Sequence, residues 1–415
     1  MYNKRKISAS IFALTFGVGA LLPIQATGQE DGFQVGNTNI SMSGYIKSDT
    51  IAVRTSDGEL ISDTLRDFYV PSTTPVGADK STESLTTHAR QSRFAFRTVS
   101  DVGTGTPVTG FLEMDFGPGR ELLNGTSTTN RSSVNLRHAY FEYGNWGFGQ
   151  TWSTALFGPA MLETLNFFAL SEGVPTPRQP QIRYKNGPWA VSLENPTTTA
   201  QVAGTDTSIA SLKDDVTDSL VPDLVARYSM MGQDSQLALV AILRQLEVDG
   251  TPVSNFGAPE NPETGSPISP TVDETEAGYG LGFSGNMKVG NATDFKFMVM
   301  GGSGVGRYTG MAFNPDVIVE DDGSGMEAVD HIGFNFGIAH RLNKNWRTNV
   351  GFGMEEADVD GQKLSEDTWS STANILYSPA PALTFGAEVK HGERTLVDGS
   401  DGAQSRLQFT AKYNL

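Results

Sequence analysis

The sequence predicts an all-β chain: a transmembrane antiparallel β-barrel of about sixteen strands. Three observations carry this reading. Apolar and polar residues alternate with period two in segment after segment. The connections between segments alternate between long and short. No stretch after the N-terminal leader approaches the roughly 18 to 20 uninterrupted apolar residues that a membrane-spanning helix needs.

The alternation is cleanest at Phe295, Phe297 and Val299, at Ile332, Phe334, Phe336 and Ile338, and at Leu383, Phe385, Ala387 and Val389. Segments of this kind place strands at 38–53, 88–100, 108–117, 132–143, 146–153, 180–186, 188–195, 222–230, 235–245, 276–284, 294–300, 330–341, 345–355, 369–378, 382–391 and 404–415. Long connections are expected at 54–87, 118–131, 154–179, 196–221, 246–275, 301–329, 356–368 and 392–403. Short turns such as Gly144-Asn145 and Asn186-Gly187 lie between them. Short periplasmic turns and long extracellular loops mark an outer-membrane barrel. The last strand alternates Leu407, Phe409, Ala411, Tyr413 and Leu415 with polar residues, a pattern that suits recognition by the barrel assembly machinery.

The N-terminus sets the expected compartment. Lys4, Arg5 and Lys6 precede a mostly apolar run from Ile7 to Leu22, and Ala26-Thr27-Gly28 offers small residues at cleavage spacing. That order reads as a signal peptide over 1–28. A short periplasmic segment, 29–37, and a barrel domain, 38–415, follow. The chain has no cysteine, which excludes disulfides, iron–sulfur clusters and thiolate–zinc sites. Its formal net charge of −17 becomes −20 once the three basic residues of 1–28 are removed, and this argues against a nucleic-acid partner.

Inside a bilayer, lysine or arginine at mid-depth on the lipid face costs about 2–4 kcal/mol, so the alternation assigns the charges to the lumen. Arg93, Arg97, Arg183, Lys185, Arg227, Arg244, Lys296, Arg341, Arg347, Lys390 and Arg406 point inward by parity, with Glu113, Asp115, Glu194 and Glu388 as acidic counterparts. Parity at Arg137 and His138 is ambiguous. The acidity is expected in the loops, at Asp214, Asp215, Asp218, Glu247, Asp249, Glu260, Glu263, Asp273, Glu274, Glu276, Glu320, Asp321 and Asp322. A basic lumen suits small anionic solutes, because guanidinium presents a planar fork of donors. The alternative is that these arginines pair with Glu113, Asp115 and Glu194 and stiffen the wall.

The third long connection is too apolar for open water. Leu162, Leu165 and Phe168 recur at helical spacing, so the loop is expected to fold inward and narrow the lumen. Glu163, Asn166, Phe167, Phe168 and Arg178 are its candidate constriction residues.

Gln91-Ser92-Arg93-Phe94-Ala95-Phe96-Arg97-Thr98, Phe111-Leu112-Glu113-Met114-Asp115-Phe116, Leu136-Arg137-His138-Ala139-Tyr140, Gly149-Gln150-Thr151-Trp152-Ser153, Arg178-Gln179-Pro180-Gln181-Ile182-Arg183-Tyr184 and Ser192-Leu193-Glu194-Asn195-Pro196 resemble the DcaP-like trimeric porins of Gram-negative bacteria. These motifs cover about the first half of the chain after the leader. The resemblance implies a sixteen-stranded homotrimer in the outer membrane, among its lipid and lipopolysaccharide, that takes up dicarboxylates or related anions without enzymatic activity or cofactor. The family's best-known member carries a coiled coil ahead of the barrel. Only about ten residues are expected before the first strand here.

Other motifs weigh little. Gly280-x-Gly282-x-x-Gly285 sits inside an alternating strand with no following helix, so it lacks the dinucleotide-binding context, and small inward residues explain it. The five histidines show no ligand spacing. Asp358-x-Asp360-Gly361 and Asp321-Asp322-Gly323 read as solvated loop acidity before weak calcium sites. Competing functions are a non-selective diffusion porin, a secreted adhesin, and a barrel enzyme. The last would need a serine, histidine and acid cluster at the rim, and none is visible in the sequence.

Overall fold

The computed structural model describes residues 32–60, 63–117, 132–202, 220–252, 271–311, 313–320, 325–359 and 364–415. The predicted leader lies outside them, as do Asp214, Asp215, Asp218, Glu260, Glu263, Asp321, Asp322, Asp360 and Gly361.

Sixteen strands close into one antiparallel barrel: β1 Thr38–Thr55, β2 Arg93–Ser100, β3 Val108–Asp115, β4 Asn135–Tyr143, β5 Trp146–Trp152, β6 Arg178–Asn186, β7 Trp189–Glu194 and β8 Asp223–Met231, then β9 Ser235–Pro252, β10 Thr271–Lys288, β11 Thr293–Ser303, β12 Asp330–Arg341, β13 Trp346–Asp358, β14 Ser365–Ala380, β15 Leu383–Leu396 and β16 Asp401–Asn414. Each pairs with the next, and β16 closes on β1 from Tyr45↔Asn414 to Thr55↔Gln404. Closure leaves no open edge, so every strand hydrogen-bonds on both sides.

The two faces follow the alternation. Leu281, Ile332, Val350, Val389 and Phe409 stand exposed on the outside, where lipid covers them. Trp146, Trp189 and Trp346 each open a strand directly after a short turn and pack against Tyr184, Tyr228 and Tyr377 at 4.6–4.8 Å. They form an aromatic girdle at the short-turn end. Gly280 and Gly282 are buried inward, as expected. Gly285 is not inward, because a side chain there would meet the outward Phe297 ring and Leu237 methyl group.

Several boundaries differ from expectation. The second strand is split. Thr82–His88 pairs with the upper half of β1 and Arg93–Ser100 with its lower half, so Ala89–Ser92 interrupts one continuous position in the wall. Within the segment 29–37, Phe33–Val35 folds back on Thr38–Ile40. β9 and β10 extend well past the expected ends, which puts Glu247, Asp249, Asp273, Glu274 and Glu276 on strands rather than in loops. Backbone pairing there outlasts the apolar band, and Glu274 stays exposed to water. The connections after β13 and β15 shrink to 359–364 and 397–400 for the same reason.

The third loop enters the lumen, but not as a helix. Apart from a single 3-10 turn at Gly158–Ala160 it is irregular. Its apolar side chains do not share a helical face. They drop one by one into sockets made by strand glycines as the loop follows the curved wall. Leu162 lies over Gly337 and Gly351, and Leu165 over Gly386. A Cβ at Gly351 would come within 2.5 Å of Leu162 and 2.7 Å of Leu170. Gly351→Leu should therefore unseat this loop at a cost of about 1–3 kcal/mol. We expect a lower melting temperature and faster proteolysis within 153–177, measured in detergent, while the barrel keeps its heat-modifiable gel migration.

Candidate functional site

The third loop leaves the wall at Ser153, whose amide donates to Pro177 O at 2.9 Å and closes the neck. It then passes around the inside of the barrel. Arg227 of β8 donates to Thr154 O at 2.9 Å and to Leu156 O. Lys296 of β11 reaches Pro159 O at 2.7 Å. Glu163 takes both arms of Arg347 on β13 at 2.7 and 2.8 Å. The Glu388 carboxylate of β15 accepts the amides of Leu165 and Asn166 at 2.6 and 2.9 Å. Lys47 and Gln408, on β1 and β16, donate to Leu165 O at 2.9 and 3.0 Å.

Asn166 and Phe167 then meet the first loop. Asn166 Oδ1 accepts the Tyr69 amide at 2.9 Å, and Phe68 packs on Phe167 and Phe168 at 5.6 Å each. The returning limb is held by Asn335, which donates to Glu172 O at 2.7 Å. Inward polar residues on these seven strands thus hold the crossing loop.

The inward charges divide by what they touch. A β-bulge explains the ambiguous pair. Glu113 lies opposite His138 and Met114 opposite Leu136, so Arg137 is the extra residue and both it and His138 face inward. Arg137 is 1% exposed. It donates to Glu113 at 2.8 Å and Asp115 at 2.7 Å, and lies 5.3 Å from the Phe167 ring centre. Arg93 is also buried, 3.4 Å from Glu113 and stacked on Tyr45. Two cations and two carboxylates balance here, so this cluster braces the wall. Arg227 is committed to loop carbonyls. Arg406 is likewise a brace, donating to Arg66 O of the first loop at 2.7 Å.

A second group lies toward the short-turn end and remains less compensated. Arg97 is exposed and lies on the inner face opposite Phe111. Arg183 is half-buried and donates only to neutral acceptors, Gln181 Oε1 at 2.9 Å and Trp152 O. Arg178, expected within the third loop, instead opens β6 at the loop's neck, opposite Trp152, and stacks on that ring at 4.7 Å. Lys412 lies over the Tyr45 ring at 4.3 Å. Lys185 pairs with Glu142 at 2.5 Å. Lys412, Lys47 and Tyr45 were not among the sequence candidates, although the parity of β1 and β16 carries the signal for all three.

The long-loop end holds a different cluster. Arg244 contacts Asp316 at 2.8 Å and Asp223 at 3.2 Å, and Tyr308 donates to Asp223 at 2.8 Å. The strands Ala200–Val202, Val317–Val319 and Met326–Ala328 form a small sheet over Leu246 and Val248 of β9. Burial raises the Asp316 carboxyl, but Arg244 and Arg307 outweigh it and hold the group below the usual carboxylate range. A depressed carboxyl contributes stability above its unfolded pKa and loses it as pH falls through the folded one. Docking of residues 313–320 should persist at neutral pH and fail only in acid. Asp316→Asn should remove that acid-dependent step, as read by proteolysis against pH.

Glu388→Gln tests the seat of the third loop. The two backbone amides use different carboxylate oxygens, and the glutamine NH2 that replaces one of them cannot accept, so about 1–3 kcal/mol of loop anchoring should be lost. Single-channel recordings should show added gating noise.

No family model matches the chain, and no curated protein matches it. Solved structures do. The outer membrane channel DcaP of Acinetobacter baumannii aligns over 92% of this chain and 99% of its own, with a TM-score of 0.73 and 22% identity. An anion-selective porin from Comamonas acidovorans aligns over 91% and 100%, with a TM-score of 0.53 and 10% identity. A loop-deletion mutant of OmpT, an outer membrane protein of Vibrio cholerae, aligns over 91% and 100%, at 0.52 and 13%. The chain has the fold of outer-membrane porins.

Proposed function

We propose that the protein is an outer-membrane porin of the DcaP-like kind, a passive channel for small solutes that prefers anions such as dicarboxylates. One observation carries the preference. Below the crossing third loop the lumen presents Arg97, Arg183 and Lys412 without carboxylate partners among the described contacts, whereas Arg93 and Arg137 are neutralised by Glu113 and Asp115. An anion about 6 Å from one guanidinium gains roughly 3 kcal/mol at an effective dielectric near 20, and under 1 kcal/mol in bulk water. Charge beside the constriction therefore outweighs the acidic loops at the mouth. The likeness to an anion-selective porin agrees with this at the level of fold.

The same reading gives a cleaved leader over 1–28 and assembly by the barrel machinery into outer-membrane lipid and lipopolysaccharide. Transport needs no cofactor and no bond is broken in the lumen. Small outward residues such as Gly44 and Ala139 suit a subunit contact better than lipid, which supports a homotrimer. Native mass spectrometry in mild detergent should show it.

In planar bilayers under a potassium chloride gradient, the reversal potential should show chloride preference. Arg97→Ala with Arg183→Ala should reduce the chloride-to-potassium ratio several-fold and slow succinate uptake into liposomes, with assembly intact. An unselective wild type would support a general diffusion porin instead. Cation preference would contradict the reading.

A further inference from the structure

The outer wall carries a row of polar side chains that transport does not use. Ser405 on β16 and His391 on β15 are direct cross-strand neighbours on the outward face. Ser405 Oγ lies 2.8 Å from His391 Nδ1. The other ring nitrogen, Nε2, lies 3.5 Å from Glu393 Oε1. Glu393 is oriented in turn by the indole of Trp369, which donates to its Oε2 at 3.2 Å, and the Trp369 ring packs against His391 at 5.5 Å. On the other side of Ser405 its cross-strand partner is Arg54, 3.9 Å from Glu83. Nucleophile, base and base-orienting acid therefore stand in line, with a cation beside the nucleophile. Such constellations are recognised by geometry and roles, not by sequence order.

The surroundings point to a substrate. A groove of about 980 Å³ adjoins the row, lined by Ala52, Leu85, Val350, Ala373, Val389 and Leu407, all facing outward. Trp369 stands one outward position from His391 toward the long-loop end, so the row lies at the depth where head groups meet acyl chains. A lipid chain in the groove would present its ester to Ser405.

We propose that Ser405, His391 and Glu393 form an acyl-ester hydrolase site for membrane phospholipid on the outer wall. Ser405 Oγ attacks the ester carbonyl carbon while its proton passes to His391 Nδ1. The tetrahedral oxyanion develops beside the Arg54 guanidinium. Its collapse breaks the ester C–O bond, and His391 returns the proton to the departing glycerol oxygen. Water then attacks the acyl-serine, gives a proton to His391, and the fatty acid leaves as Ser405 recovers its hydrogen. Glu393 is a positioning residue: it holds the Nε2–H tautomer and supports the imidazolium.

The protein in detergent micelles should release fatty acid from a phospholipid bearing a fluorogenic acyl chain. Ser405→Ala and His391→Ala should each lower the rate at least ~100-fold, with heat-modifiable migration and single-channel conductance unchanged. Glu393→Gln should lower kcat several-fold with KM for the phospholipid unchanged, because the imidazole loses the group that orients it, and Glu393→Asp should restore part of the rate. A fluorophosphonate probe should label Ser405 in the wild type and not in His391→Ala. Absence of release above the Ser405→Ala background, or labelling that does not fall on Ser405, overturns the proposal. Neither result bears on the channel reading, which is measured separately as conductance.

Discussion

Everything in this molecule follows from the absence of hydrogen-bond partners in the bilayer interior. A sheet can cross it only by closing, and closure gives each strand one face toward lipid and one toward the lumen. The lumen receives the polar residues and is wide enough at sixteen strands to leave space beyond their side chains. That space admits the third loop, and the wall is shaped for it. Gly337, Gly351 and Gly386 remove side chains where Leu162 and Leu165 sit. Glu388, Lys47 and Lys296 supply donors and acceptors for a backbone that leaves water, and Arg347 pairs with the loop's Glu163 carboxylate.

The inward charges consequently do two kinds of work. Arg137, Arg93, Glu113 and Asp115 form a buried, balanced cluster, and such a cluster is costly to break because removing one partner strands another. It fixes shape and contributes little field. Arg183 and Lys412 contact neutral groups and Arg97 stands exposed, so the three leave their charge to the lumen. The wall bracing raised by the alternation is seen at Arg93 and Arg137; anion recognition is the role we propose for Arg97, Arg183 and Lys412.

Parity and the rhythm of connections made the barrel legible, because both are local properties of the chain. Features that depend on register between strands were not. The bulge at Arg137 inserts one residue opposite Glu113, which a period-two reading registers only as noise. The split of the second strand at Ala89–Ser92 depends on how β1 divides its two halves. The third loop's leucines repeat at helical spacing, yet Gly158, Pro159 and the glycine sockets favour an irregular path. The row of Ser405, His391 and Glu393 joins residues from two strands, and only the β15–β16 register places the serine beside the histidine.

The central claim is that solutes pass through a lumen whose field beside the third loop is positive. The chain has no cysteine, so one introduced thiol reports a single site. Phe111 lies on the inner face directly across from Arg97, and Phe111→Cys keeps that arginine in place. With channels in a bilayer, a negatively charged methanethiosulfonate should modify this thiol faster than a positively charged reagent of similar size, with each reaction read as a step in current. Equal rates, faster reaction with the cationic reagent, or no access from either side would contradict the account.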